Sequence, residues 1–329
     1  MKRMTAFVLA LALLLCAAAA CAEAPRLSCS FLSAEETAAV LLGLDEYYAR
    51  INRKTLDFFL QRKGGTTEEY RDHSAAQALD FTAAQRELIT AVTDALERNM
   101  DLLGVKLPGD PQIRFAVTTM KEAAGADGYT HGNTVFLNAD YLDEVIALSG
   151  TARRRAAEED ILRLIAHELF HCLTRGDPEF RRRMYAIIGF TVADAEFEFP
   201  AEIREQIIVN PDVPRHDSFA TFTVRGRPTD CCLVFLSKNT FEKPGDNFFD
   251  GAYTGLVSVE DGTLYGVGDA SDFWQVVGRN TSYVEDPEEC MADNFSFALV
   301  CGPDRTCPDP RIPRAVIDAL RQPGDPEDF

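Results

Sequence analysis

Apolar residues recur with helical spacing at Ile161, Leu164, Ile165, Leu169 and Cys172, which predicts a long buried helix near the middle of the chain. Glu158, Glu159 and Asp160 stand toward its start, where the helix dipole favours negative charge. Arg175, Gly176 and Pro178 form a stop signal of cation, C′ glycine and proline. Earlier in the chain, Ser33-Ala34-Glu35-Glu36 reads as a capping box ahead of Leu41, Leu42 and Leu44. Lys63-Gly64-Gly65-Thr66-Thr67 reads as a loop. Thr82-Ala83-Ala84-Gln85 opens another helix to about Leu103, broken by Pro108-Gly109-Asp110-Pro111. Strand signals follow at Ile113–Thr118 and Thr134–Asn138, with a Gly-rich loop from Gly125 to Gly132 between them. Helical patterns recur at Tyr141–Ala147 and Phe180–Ile188. Strand-like runs at Ala220–Val224, Cys232–Leu236, Leu256–Val259 and Thr263–Val267 make the region 191–278 β-rich. Asp286 and Pro287 suit N-cap and N1 of a further helix, and a last one lies near Arg314–Leu320.

Helices and strands segregated in this way predict an α+β fold. Its parts are a helical N-terminal region (23–110), strands with the central helix (111–190), a β-rich insert (191–278) and a closing helical region (279–329). No repeat period is evident. Before all of this stand Met1-Lys2-Arg3 and an apolar run from Ala6 to Ala20, which read as a signal peptide over 1–22. Ala20-Cys21-Ala22 offers a cleavage site, and lipidation of Cys21 is the alternative. Either way the chain is expected to be exported, as a secreted or periplasmic protein or one lipid-anchored at the envelope.

Export changes how the cysteines read. Cleavage after Ala22 leaves seven, and an oxidising compartment permits disulfides, with the odd number leaving at least one unpaired. The turn-rich loop from Cys301 to Cys307 is one that a bridge can close. A meeting of Cys172 with Cys290 is a second possibility, against simple core packing. The net charge is −19, and loss of Lys2 and Arg3 with the signal segment takes it to −21. Such a surface disfavours nucleic acid and anionic membrane as partners and suits basic or neutral substrates.

The chemistry lies in His167-Glu168-Leu169-Phe170-His171. Two histidines four apart share one helix face and can grip one Zn²⁺, while Glu168 can reach a water beside it. Zinc lowers the pKa of such a water toward neutrality, and a carboxylate can take its proton. The competing reading is two histidines on a buried helix satisfied by hydrogen bonds. A catalytic zinc needs a third protein ligand. Glu289 is one candidate: it stands four residues before Asp293 on a helix, and two like charges at that spacing repel unless a cation lies near. Glu289 completing a capping box with Asp286 is the plainer alternative. Asp177, ten residues after His167, is the other candidate.

HExxH followed by a separate helix carrying ExxxD resembles the gluzincin, thermolysin-like branch of zinc metallopeptidases. The chain is also similar to uncharacterised secreted bacterial proteins with a metallopeptidase-like domain. The resemblance implies a zincin-like fold, one zinc per chain and a peptide or protein substrate. It makes His167, His171 and Glu289 the ligands, Glu168 the general base, and Asp293 the carboxylate that orients a liganding histidine. It also implies that a strand near the Gly-rich loop borders the substrate cleft, where an edge strand can pair with a peptide backbone. His131 there is a conceivable substrate contact, or a polar loop residue. In this chain 117 residues separate His171 from Glu289, a longer span than in thermolysin itself. Asp177 instead resembles the metzincin pattern, with Thr174 where that pattern has glycine. Tyr283 is the first candidate for an oxyanion donor and His216, after Asn210-Pro211-Asp212, the second. A non-catalytic zinc-binding or protein-binding module is the alternative to a peptidase.

Overall fold

Local capping chemistry sets where the helices begin. In the computed structural model, which describes residues 27–148 and 153–321, four short helices precede a long one. They are α1 (Ala34–Leu42), α2 (Asp45–Arg50), α3 (Arg53–Phe59), α4 (Thr67–Ala75) and α5 (Ala83–Leu103). Ser33, Thr66 and Thr82 accept bonds from the backbone N–H groups of Glu36, Glu69 and Gln85, whose side chains bond back to the caps. Gly104 ends α5 in the left-handed region, with φ of 66°, where a side chain would be strained. The signal-peptide segment 1–22, with its readings at Cys21, lies outside the described residues.

Five strands form a first, mixed sheet: β1 (Ser28–Phe31), β2 (Ala78–Leu79), β3 (Gln112–Thr118), β4 (Gly128–His131) and β5 (Thr134–Asn138). Its order is β1-β3-β5-β4, with β2 paired to β3. β1 and β5 run parallel to β3, and β4 runs antiparallel to β5 at the edge. Helices α6 (Ala139–Ala147), α7 (Arg154–Gly176) and α8 (Pro178–Ile187) follow. A second, antiparallel sheet has the order β10-β9-β8-β7-β6. Its strands are β6 (Thr191–Val192), β7 (Ser218–Val224), β8 (Arg227–Ser237), β9 (Ala252–Ser258) and β10 (Leu264–Gly266). Arg225 and Gly226 both take positive φ, 48° and 81°, in the two-residue turn that joins β7 to β8. Helices α9 (Ala201–Arg204), α10 (Phe273–Val276), α11 (Pro287–Cys301) and α12 (Arg311–Arg321) complete the chain. The architecture is α+β.

The main core lies where α5, α7 and α11 meet the first sheet. Ile89, Leu96, Phe115, Ile161, Phe170 and Phe295 are all fully enclosed there. The second sheet is tied to the N-terminal helices by Lys54, whose Nζ donates to Gln206 O and to Ser237 O of β8 at 2.7 Å each.

Several elements differ from the sequence expectation. β1 lies in the region expected to be helical, and its four half-exposed residues become a strand by pairing along β3. Part of the Gly-rich loop is β4, because Gly128 to His131 can zip against β5. Gly176 is the last helical residue of α7 and not its C′ position; Asp177 follows in an extended conformation and starts α8. The seven cysteines among the described residues are free thiols. Cys290 Sγ turns to Val277 O at 3.7 Å and Cys301 Sγ lies 3.1 Å from Arg305 Nη1, so neither of the two possible bridges forms, and Cys172 and Cys290 are buried by simple packing.

Candidate metal centre

From Glu168 to Thr174 every residue of α7 is buried, so the apolar stripe becomes an all-round contact and its polar groups must find partners inside the protein. α11 supplies them. Asp286 caps α11 by accepting from Glu288 N at 2.8 Å, and Pro287 takes N1. Glu289 does not complete a capping box with Asp286. Its carboxylate reaches the HExxH face, with Oε2 at 3.1 Å from His167 Nε2 and 3.6 Å from His171 Nε2. Around four-coordinate zinc, bonds of ~2.0–2.1 Å set neighbouring ligand atoms about 3.3 Å apart. The two separations from Glu289 are near that value, and ligand atoms of all three residues lie within 4.8 Å of one another. His171 Nε2 is buried without a hydrogen-bond partner, as expected of a nitrogen whose lone pair is meant for a cation. A divalent metal fits this donor set.

Each histidine is held from behind by its own carboxylate. Asp293 Oδ1 lies 3.1 Å from His167 Nδ1, and Thr281 Oγ1 donates to Asp293 Oδ2 at 2.5 Å. Glu288 Oε1 lies 2.9 Å from His171 Nδ1, and also accepts from Thr174 Oγ1 at 2.5 Å; its other oxygen accepts from Tyr185. Carboxylates so placed fix the ring tautomer and raise ligand basicity. Asp293 thus pairs with His167, and Glu288, which sequence reasoning passed over, does the same for His171. Both Glu288→Gln and Asp293→Asn are expected to weaken zinc binding about 10–100-fold in a chelator competition. Unchanged affinity in both would reduce them to structural partners.

Glu168 is buried beside this trio and accepts from Thr130 Oγ1 at 2.7 Å, so the edge strand β4 positions it. A Cβ on Gly128 would stand 3.1 Å from Glu168 Oε1 and 3.3 Å from Leu164 Cδ1, so a side chain there would press on both by a few tenths of an ångström. β4 thus borders the site. Its Thr130 N–H is already bonded to Asp212 Oδ1 at 2.7 Å, a contact the sequence did not announce. Arg175 anchors that carboxylate at 3.5 Å and donates to Pro211 O at 3.1 Å. Asp212 also groups with Glu168 and His171, their ligand atoms within 4.8 Å of one another. Asn210 donates to Glu289 Oε1 at 2.6 Å. The Asn210-Pro211-Asp212 wording was the one visible signal of this cover.

The other sequence candidates divide. The Tyr283 ring lies nearly parallel to His167, 24° between planes and 6.2 Å between centroids. His216 does not join the trio: its Nδ1 is 3.8 Å from Asp286 Oδ2, and it lines a cavity of about 650 Å³ that Asn210 and Glu285 also line. Asp177 is spent on capping α8, accepting from Glu179 N and Phe180 N at 3.0 Å each, and so lies apart from the histidines. His131 ends β4 and packs 4.8 Å from the Tyr47 ring, away from the trio.

Electrostatics agree with a cation site. Burial opposes ionisation of Glu289, but its bond to His167 and the nearness of the His171 ring outweigh that and hold its carboxyl well below the usual range. Burial likewise opposes charge on His167, yet Asp293 and Glu289 push it up to about 10. Burial and the neighbouring Glu168 and Glu289 push Asp212 up to about 7, against His171 and Arg175. Five carboxylates thus crowd two imidazoles, an excess of negative charge that a divalent cation would relieve. Comparison with protein-family models, with curated proteins and with solved structures returns no match for this chain.

Proposed function

We propose that this protein is an exported zinc-dependent peptidase of zincin type, with the gluzincin arrangement of HExxH and a distant ExxxD. The observation that carries the reading is the grouping of His167, His171 and Glu289 within 4.8 Å, with Glu289 Oε2 at 3.1 and 3.6 Å from the two Nε2 atoms, near the spacing of a tetrahedral zinc shell. Zinc, when bound, supplies Lewis acidity that polarises a carbonyl and brings the pKa of a water toward neutrality. Glu168 takes the proton from the attacking water and returns it to the leaving nitrogen, and Thr130 Oγ1 holds its carboxylate in place for both transfers. Tyr283, beside His167, is the donor to the oxyanion as charge develops on the carbonyl oxygen. Thr281 and Thr174 keep Asp293 and Glu288 aimed at the two histidines.

A non-catalytic zinc module is the second reading, favoured by Asp212. Its carboxylate groups with His171 and Glu168, and a fourth protein donor there would close the site as structural zinc sites are closed. Elemental analysis with a denatured-casein assay separates the two. The peptidase reading expects one zinc per chain and hydrolysis. Glu168→Gln should keep the zinc and lose about 10²–10⁴ of the rate. Full activity in Glu168→Gln would remove the proposed mechanism, and zinc without hydrolysis would favour the module.

A further inference from the structure

A cavity of about 310 Å³ abuts the candidate centre on the side of β4. Gly128 and Tyr129 of that strand line it, as do Asn210, Asp212 and Tyr283 from the centre itself. Its walls are aromatic. Tyr47, Tyr48, Phe59, Tyr70, Tyr129 and Tyr283 face it, with Phe59 stacked on Tyr70 at 5.1 Å and Tyr47 packed on His131. Its ionisable side chains other than tyrosine and His131 are all acidic: Glu122, Asp212 and Glu285 line it, and no lysine or arginine does among the described residues. Burial raises the carboxyl pKa of Glu122, and that of Glu285 to about 8, a cost that a cation bound beside them would relieve. Burial and Arg175 lower the His131 pKa to about 3, so that ring stays neutral.

Glu122 makes the chemistry specific. It is only 3 % exposed, and its Oε1 accepts from Thr118 Oγ1 at 2.6 Å and Tyr129 OH at 3.1 Å. Its Oε2 is buried with no hydrogen-bond partner. A buried carboxylate oxygen left bare is costly, and among aromatic faces its natural complement is a cation. Tyr129 connects this carboxylate to β4, whose next residue, Thr130, donates to Glu168, so Glu122 and the candidate base are held by neighbouring residues of one strand.

We infer that this cavity is a pocket for the ammonium or guanidinium end of a lysine or arginine side chain in a bound peptide. The volume is at the low end for ligand pockets and suits one long side chain better than a stretch of chain. Its placement as a specificity pocket rests on the peptidase reading; its preference for a cation does not.

The test titrates the full mature chain with Nα-acetyl-lysine methylamide and its norleucine isostere, followed by NMR shift changes. The lysine compound is expected to bind at least about tenfold more tightly, and Glu122→Gln to abolish the preference with its melting temperature retained. If Glu122→Gln does not fold, Glu285→Gln at the rim should reduce the preference, and Tyr47→Leu should weaken lysine binding several-fold. Equal binding of the two compounds, binding of neither at millimolar concentration, or an unaltered preference in the variants would overturn the pocket. Peptides with lysine or norleucine stepped along the sequence then report hydrolysis. A lysine preference in binding with no hydrolysis would uphold the pocket and reject the peptidase.

Discussion

Alanine at Glu289 is expected to leave the protein without zinc and less stable by about 3–5 kcal/mol. Two losses add. In the proposed site the carboxylate is one of three ligands, so the drop in zinc affinity should exceed the ~10–100-fold expected at Glu288 or Asp293. It is also the shared partner of two enclosed histidines, at 3.1 and 3.6 Å, and deleting one side of a buried pair strands the other. The side chain of His171 is fully enclosed and cannot turn to water for relief, whereas that of His167 is 13 % exposed. Urea unfolding with and without zinc separates the losses. Zinc at a hundred times its dissociation constant should stabilise the natural protein by about 2.7 kcal/mol and the variant not at all. A variant that keeps stoichiometric zinc would move the third ligand elsewhere, with Asp212 the nearest candidate.

The second large effect belongs to packing. Phe170→Ala should cost about 3–5 kcal/mol, read as a lowered urea midpoint with an unchanged slope. Its ring is fully enclosed between Phe295 of α11 at 5.3 Å and Phe180 of α8 at 5.9 Å. It is the joint that holds the helix of the histidines against the helix of Glu289. A hollow there leaves α7 and α11 free to shift, and a shift of a few tenths of an ångström already alters ligand separations. Metal affinity should therefore fall as well, although Phe170 touches no ligand atom of the trio except through the neighbouring His171 ring. A loss of stability with zinc affinity intact would show that the two helices keep their spacing without this contact.

How much of this was legible beforehand depends on the range of the interaction. The capping boxes at Ser33 and Thr82 and the N-cap at Asp286 close within four residues, and they were readable as they stand. The chain of long-range contacts was not. The spacing to Asp293 marks Glu289, but nothing local marks Glu288; it turns to His171 Nδ1 while Glu289 turns to both Nε2 atoms, because neighbouring helical positions point about a quarter-turn apart. Asp177 had a plausible spacing, and lost because an aspartate before proline is a strong helix cap. β1 and β4 carry weak strand signals and exist through their neighbours β3 and β5.

By itself the sequence determined that one buried helix presents His167 and His171 on a common face with Glu168 beside them, since a period of 3.6 residues requires no partner. It also determined a second helix beginning at Asp286 with Glu289 and Asp293 one turn apart. Only the tertiary structure decided that these helices face each other, that Asp212 takes the Thr130 N–H, and that an acidic, aromatic cavity opens beside Asp212 and Tyr283. Those are meetings of residues tens to more than a hundred positions apart. Their geometry is set by how whole helices and sheets pack, and side-chain periodicity carries no record of that.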